Sequence, residues 1–319
     1  MVQTFNPAKV MLADSLGTDI INAGFTQEFI NQLVSTSRVV QLGQKVDIGN
    51  ARMKRFSDGA GELSDAYFVG EGEKIGVANL EGADYVIETK KIAVILPVTE
   101  EFLTYTWSQY FQEVVPEIVS KFNKKIDGAA FLGAHGNPFG SNVLAAATAA
   151  NNIVEGDLTA SNIIDLEALT ATQPNAFVGH RTLNRGLRRL NGVVAPQEGQ
   201  LETVEYLAPN NVTGTGTLDG LPYAQLNLTD GAVFPEGTLI TGNFNSLRYA
   251  IPNNANLRLK IADEATLSKV QNAGPDSGDV HLFEQDMQAL RAIFEIGVAV
   301  PAGRNADFAI LQPDPTPGV

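Results

Sequence analysis

Between Trp107 and Ala130 the apolar residues recur at spacings of three and four: Trp107, Tyr110, Phe111, Val114, Val115, Ile118, Val119, Phe122, Ile126 and Ala130. That period draws one stripe along a helix, and a stripe of this length has to be covered by the rest of the fold. It reads as core packing. Pro116 interrupts the pattern, because it removes a backbone hydrogen bond and predicts a kink or a new helix start. The expected helix is therefore firmest over residues 116–132. Thr99 is placed to cap a short preceding turn over residues 100–105, and Gly133 to close the helix.

The segments before this helix cannot form a core of their own. Residues 1–45 read as an arm, with one or two helical turns carried by Ile20, Ile21, Phe25, Phe29, Ile30 and Leu33 in a polar, Gly-interrupted surrounding. Such an arm is ordered only against another surface. Residues 46–95 read as a long two-stranded excursion. Val46-Asp47-Ile48 alternates and Arg52, Lys54 and Arg55 follow. Next come the polar residues 57–61 and Gly70-Glu71-Gly72-Glu73-Lys74, and alternation resumes through Tyr85, Ile87, Ile92, Val94 and Leu96. An isolated hairpin is marginal in water, so one this long is expected to lie on a partner.

Beyond the helix, residues 96–155 end in a turn-rich stretch, and residues 156–245 alternate short helices and strands. Helices are expected near residues 166–170 and 182–190, a buried strand at Ala176-Phe177-Val178, and a Gly/Thr-rich loop over residues 210–220. Residues 246–319 are strand-dominated, at 247–251, 257–261, 280–283, 289–294 and 308–311, before a tail with Pro313, Pro315 and Pro317. No internal repeat is visible. The pattern is α+β, with interdependent segments.

Composition narrows the function. With 44% hydrophobic residues, 30 Gly and 15 Pro in 319 residues, the chain is globular and turn-rich. The apolar run at residues 92–98 is far below the roughly 20 residues that cross a bilayer, and the first 16 residues show no secretory pattern. There is no Cys, which excludes disulfides and thiolate metal sites and fits a reducing cytosol. Asn211 and Asn227 match glycosylation sequons but read as turn residues. A net charge of −14 argues against conventional nucleic-acid binding, yet suits a surface that contains DNA without adhering to it.

No catalytic, cofactor or metal constellation stands out. His135, His180 and His281 are scattered. There is no G-x-S-x-G elbow or phosphate loop, and Gly70-x-Gly72 lacks a third glycine and a following helix. Glu71 and Glu73 read as solvent or inter-subunit contacts rather than an acid/base pair, and the loop at residues 276–279 lacks a calcium-ligand pattern. Two basic groups remain. Arg181, Arg185, Arg188 and Arg189 fall on nearly one helical face, and Arg52, Lys54 and Arg55 sit near the start of the excursion. They suit either contact with DNA or pairing with acidic neighbours across subunit boundaries, and the net acidity of the chain favours the second.

Several motifs, in order, resemble the tailed-bacteriophage major capsid protein family, whose fold is shared with encapsulins. Lys91 to Leu103, around Leu96-Pro97-Val98-Thr99-Glu100, is similar to its strand entering the spine helix. Asp127 to Gly133, then Gly136-Asn137-Pro138-Phe139-Gly140, resembles its helix end and turn. Ala176 to His180 with Leu187 to Leu190, Leu218-Asp219-Gly220-Leu221-Pro222, and Phe283 to Arg291 followed by Val300-Pro301 and Ala306 to Ala309 complete the series. The resemblance covers roughly residues 40–312. It implies an α+β phage major-capsid fold: an N-terminal arm (1–45), an extended β-hairpin loop (46–95), a peripheral domain with a long spine helix (96–155), an axial domain (156–245), and peripheral return strands with a C-terminal tail (246–319).

The implied function is structural: self-assembly into pentamers and hexamers of an icosahedral shell enclosing double-stranded DNA, within the virion, after assembly in the host cytoplasm. Implied partners are copies of the chain, a separate scaffolding protein, a portal and a decoration protein, with no membrane. Candidate inter-subunit contacts are Arg52, Lys54, Arg55, Glu71, Glu73, Lys74, Arg181, Arg185, Arg188 and Arg189. Many members carry a scaffolding segment ahead of the arm; here the arm begins at Met1, so scaffolding is expected from a separate protein or not at all. Some members cross-link a loop Lys to an Asn with help from a Glu. Lys74 is available, but Asp286 falls at the Asn position and Ile293 near the Glu position, so no isopeptide bond is expected. An encapsulin-like shell around an enzyme cargo, and a soluble enzyme or binding protein, are the competing readings.

Overall fold

The computed structural model describes residues 36–58, 68–74, 83–190, 207–210, 215–226, 228, 237–253, 258–262, 265–267 and 280–313. The helical turns expected within residues 20–33, the loop at 276–279 and the tail beyond Pro313 lie outside these residues.

In chain order, a short helix α1 (Arg38–Leu42) leads into β1 (Gln44–Lys45), and β2 (Met53–Asp58) pairs antiparallel with β3 (Ala83–Glu88) as the expected hairpin. Strand β4 (Lys90–Thr99) runs directly into helix α2 (Glu100–Leu132). The separate turn capped by Thr99 is not found, because the helix starts at Glu100 and continues for 33 residues with Pro116 inside it. Pro116 itself is exposed. Ile118, Val119, Phe122, Ile126 and Ala130 of the stripe are buried. Gly133 ends the helix as expected: at φ +67° it takes the left-handed conformation, and its N–H donates to the Ala129 carbonyl.

Then come α3 (Val143–Ala149), β5 (Ile153–Glu155), α4 (Ala160–Ala168), β6 (Ala176–His180), α5 (Leu183–Leu190), β7 (Leu207–Asn210), β8 (Thr215–Leu218) and β9 (Leu221–Leu226). Asn142 and Thr159 cap α3 and α4, each side-chain oxygen accepting from a backbone N–H three residues on. The last elements are β10 (Leu239–Gly242), β11 (Arg248–Ala250), β12 (Arg258–Ala262), β13 (Thr266–Leu267), β14 (Val280–His281), β15 (Met287–Ala299) and β16 (Phe308–Gln312), with 3-10 turns at Phe244–Ser246 and Ala302–Asp307. The strand expected at 289–294 is thus part of a 13-residue strand.

The chain divides into two compact units. One comprises Met1–Thr36, Lys91–Phe122 and Pro252–Ile296; the other comprises Ser37–Lys90, Asn123–Ile251 and Gly297–Val319. In the first, β15 pairs with β4 and with β12, the latter antiparallel with Lys260 opposite Arg291 and Ala262 opposite Ala289. Leu290, Ala292, Phe294 and Ile296 are buried on one face of β15, while Arg291 on the other is exposed.

The second unit is built on a seven-stranded sheet, ordered β5-β16-β10-β6-β9-β8-β7. β6 is buried along Ala176–Phe177–Val178–Gly179 because both its faces are covered, as expected of a central strand. Ile163 and Leu166 of α4 and Leu183 and Leu187 of α5 pack with Phe177, Tyr223 and Leu311 from the sheet. A smaller core at the hairpin base joins Ile48, Ile87, Ala250 and Ala299, with Phe56 stacked on Tyr85 at 5.5 Å. Gly297 makes this contact possible: a Cβ there would lie 2.7 Å from Ile87 Cγ2 and 2.9 Å from the Glu88 carbonyl oxygen.

Candidate inter-subunit surface

The hairpin of β2 and β3 has two unlike faces because side chains alternate along a strand. Lys54, Phe56, Tyr85 and Ile87 share the face that meets the small core. Met53, Arg55, Asp84 and Val86 share the other, where Met53 and Val86 are large apolar residues left in solvent. The cluster of Arg52, Lys54 and Arg55 is therefore not one patch. Lys54 donates to the Asp47 carbonyl oxygen at 3.2 Å and lies 5.1 Å over the Phe56 ring, whereas Arg55 pairs with Asp84 at 3.1 Å on the opposite face. Arg52 is exposed, and its carbonyl accepts from the Thr89 N–H and hydroxyl.

Glu71, Glu73 and Lys74 are all exposed on the described stretch of loop. Glu73 closes a local turn: its carboxylate accepts from the Gly70 N–H at 3.2 Å, and its own N–H donates to the Gly70 carbonyl at 3.1 Å. Arg181 is exposed in the turn before α5 rather than on the helix itself. Arg185, Arg188 and Arg189 lie on α5, and their side chains fall outside the described ones. Asp286 is exposed in a turn at φ +53°, and Ile293 is a half-buried apolar residue of β15. No cluster of metal-ligating side chains occurs among the described residues.

Two buried carboxylates that sequence reading missed fix where these segments leave the fold. Asp58, at the end of β2, is 7% exposed and accepts from Arg304 Nε at 3.1 Å, with Arg248 Nη2 at 3.7 Å. Arg304 also faces Asp307 at 3.7 Å, and Asp307 accepts from the hydroxyls of Thr172 and Ser246. The end of the hairpin from which the loop departs is thus clasped by two arginines on distant parts of the chain.

Asp127, on α2, holds the start of α1. It accepts from the Ser37 hydroxyl at 2.9 Å and from the Arg38 and Val39 N–H groups at 3.1 Å each. These two amides belong to the first turn of α1, where intrahelical partners are lacking, so the carboxylate acts as a long-range cap. Burial pushes the Asp127 carboxyl up to about 6, outweighing the hydrogen bonds and the Arg38 charge that lower it. The folded chain then holds this proton more tightly than the unfolded chain, whose aspartate titrates near 3.8. Its contribution is full below about pH 4 and is lost as pH rises through 6, roughly 3 kcal/mol in all. The stability gap between the natural chain and Asp127→Asn is therefore expected to widen by ~2–3 kcal/mol from pH 7 to pH 4. Denaturant titrations of both chains check this, and a gap that does not change with pH overturns it.

The Phage capsid family matches residues 17–304. The chain belongs to the phage capsid family. It is 38% identical over 314 residues to the major capsid protein of Staphylococcus phage 80alpha, covering 98% of this chain and 90% of that one. Solved structures with the same fold include those from Microbacterium phage Oxtober96 (TM-score 0.63, 18% identity, 88% of this chain and 92% of that one) and Mycobacterium phage Adephagia (0.63, 20%, 89% and 92%). A third is the capsid of an empty GTA particle, computed with C5 symmetry (0.59, 14%, 88% and 90%). The phage capsid subunit described here is a structural component of a capsid shell with the α+β phage major-capsid fold, and its place is the virion capsid. Nothing among these relatives favours the enzyme-cargo alternative.

Proposed function

We propose that this capsid subunit assembles with copies of itself into pentamers and hexamers of an icosahedral shell around double-stranded DNA, in the host cytoplasm, without catalysing a reaction. The observation that carries this reading is the hairpin. It is fixed by the small core at its base and by the Asp58 clasp where the loop departs, yet Met53, Val86, Phe68 and Val69 stay in solvent. Apolar surface held out on a fixed support suits a neighbouring subunit better than a free monomer. The C5 symmetry of the related GTA capsid supports five-fold capsomers. The net charge of −14 supports an inner surface that does not adhere to DNA.

The contacts proposed are Arg52, Lys54, Arg55, Glu71, Glu73 and Lys74 around the hairpin, and Arg181, Arg185, Arg188 and Arg189 around α5, pairing with opposite charges across subunit boundaries. A separate scaffolding protein, a portal and a decoration protein complete the expected partners. An extended arm (1–45), a loop (46–95), a peripheral domain (96–155 with 246–319) and an axial domain (156–245) remain the domain reading.

Negative-stain microscopy with sedimentation of the purified protein tests assembly. Closed particles, or rings of five and six subunits, are expected. The same particles are expected to run as a single band on a denaturing gel, because Asp286 and Ile293 stand where cross-linking members carry Asn and Glu. A stable 34.1 kDa monomer that never assembles, even with scaffolding protein supplied, overturns the shell reading.

A further inference from the structure

A cavity of about 250 Å³ opens at one end of the seven-stranded sheet, where β5, β6 and β16 finish and β10 begins. Glycines keep it open. A Cβ on Gly186 of α5 would lie 3.0 Å from Leu158 Cδ2, and one on Gly237 would lie 3.4 Å from Pro313 Cγ. Leu158, Leu183 and Pro313 supply its apolar wall, and the exposed Thr182 lines it too. Its volume is below the roughly 300–1,000 Å³ of small-molecule sites and suits a few side chains instead.

Pro313 is both a wall of this cavity and the point from which residues 314–319 continue. These six residues, Asp314-Pro315-Thr316-Pro317-Gly318-Val319, reach about 19 Å at the polyproline rise per residue, enough to cross the cavity. Proline has its φ fixed before docking, so seating Pro315 and Pro317 costs little backbone entropy while burying two apolar rings. The charge also matches. Asp314 carries the sole ionisable side chain of the six, and α5 starts at Leu183 with unpaired N–H groups in its first turn and the exposed Arg181 just before it. Asp157 lines the cavity as well, and its charge steers Asp314 to the Thr182 side.

We propose that residues 314–319 fold back as a strap within their own chain, with Pro315 and Pro317 in the glycine-lined cavity and Asp314 toward the start of α5. The strap ties the end of β16, an inner strand of the sheet, to the helix that covers it. It concerns a single copy and stands apart from the shell reading, so a failure to assemble does not touch it.

The absence of any native cysteine makes the test direct. Thr182→Cys is combined in turn with Pro315→Cys, Thr316→Cys and Pro317→Cys, and each full-length chain is oxidised and run without reductant. At least one pair is expected to close within a single chain, seen as a faster-running monomer that reductant reverts. Thr217→Cys in place of Thr182→Cys is the control. It lies on β8, four strands from β16 and so about 19 Å away, farther than Pro317 reaches from Pro313. No closure with Thr182→Cys, equal closure with Thr217→Cys, or closure only as a dimer between copies overturns the strap. A second readout needs no cross-link. Labelling of the single Thr182→Cys chain by a thiol reagent is expected to run ~10-fold faster when the chain is stopped after Pro313. Where the shortened chain does not fold, the full chain carrying Pro315→Gly and Pro317→Gly takes its place, with the same direction expected. An unchanged labelling rate overturns the proposal.

Discussion

Replacing Asp58 with alanine is expected to lower the stability of the unassembled subunit by about 3 kcal/mol, toward the low end of what breaking a buried ion pair costs. The carboxylate is 7% exposed and is shared by Arg304 and Arg248, whose side chains are only 28% and 16% exposed. Removing it leaves two partly buried guanidinium groups with less compensation. Arg304 retains Asp307 at 3.7 Å, which is why the loss is not larger. Arg55→Ala is the control. Its pair with Asp84 is 74% and 47% exposed, so about 0–1 kcal/mol is expected. Denaturant midpoints of the two variants decide the matter, and an Asp58→Ala loss no greater than that of Arg55→Ala refutes the clasp.

Phe244→Ala is expected to cost more, about 3–5 kcal/mol. Phe244 is fully buried in the 3-10 turn before β11, with ring centroids 5.9 Å from Phe131 and 5.6 Å from Phe308, both also fully buried. The three rings come from α2, this turn and β16, so the truncation opens a cavity where three distant segments meet. Their tilted packing adds to the area term. Phe244→Leu keeps most of the volume and is expected to recover more than half of the loss. The same denaturant measurement on Phe68→Ala is expected to show no change, because that ring touches solvent in the single chain. A stability loss there would mean that Phe68 packs within its own subunit.

Sequence alone determined the local elements whose periodicity is strong. The stripe from Ile118 to Ala130 marked the buried face of α2, Ala176-Phe177-Val178 marked the central strand β6, and the alternation from Tyr85 onward marked the hairpin and β4. These patterns are legible because each depends on a repeat that the chain carries within a few residues. The ordered motifs also identified the family. Pro116 starts no new helix: its cost is real, but the packed stripe from Ile118 to Ala130 outweighs one lost hydrogen bond.

Only the tertiary structure decided which distant groups meet. β16 enters the sheet between β5 and β10, a pairing that no local pattern encodes. Asp58 reads in sequence as part of a polar stretch, and Asp127 as one more polar residue in a helix. Both become anchors because residues 246 positions away, in the first case, and 88 to 90 positions away, in the second, bring donors to a site from which water is excluded. The split of Arg52, Lys54 and Arg55 between two faces was already implicit in strand alternation, but which face would be covered was not. Periodicity states that a face is buried; the partner that buries it is chosen by long-range packing, whose free energy is a sum over segments that are close only after folding.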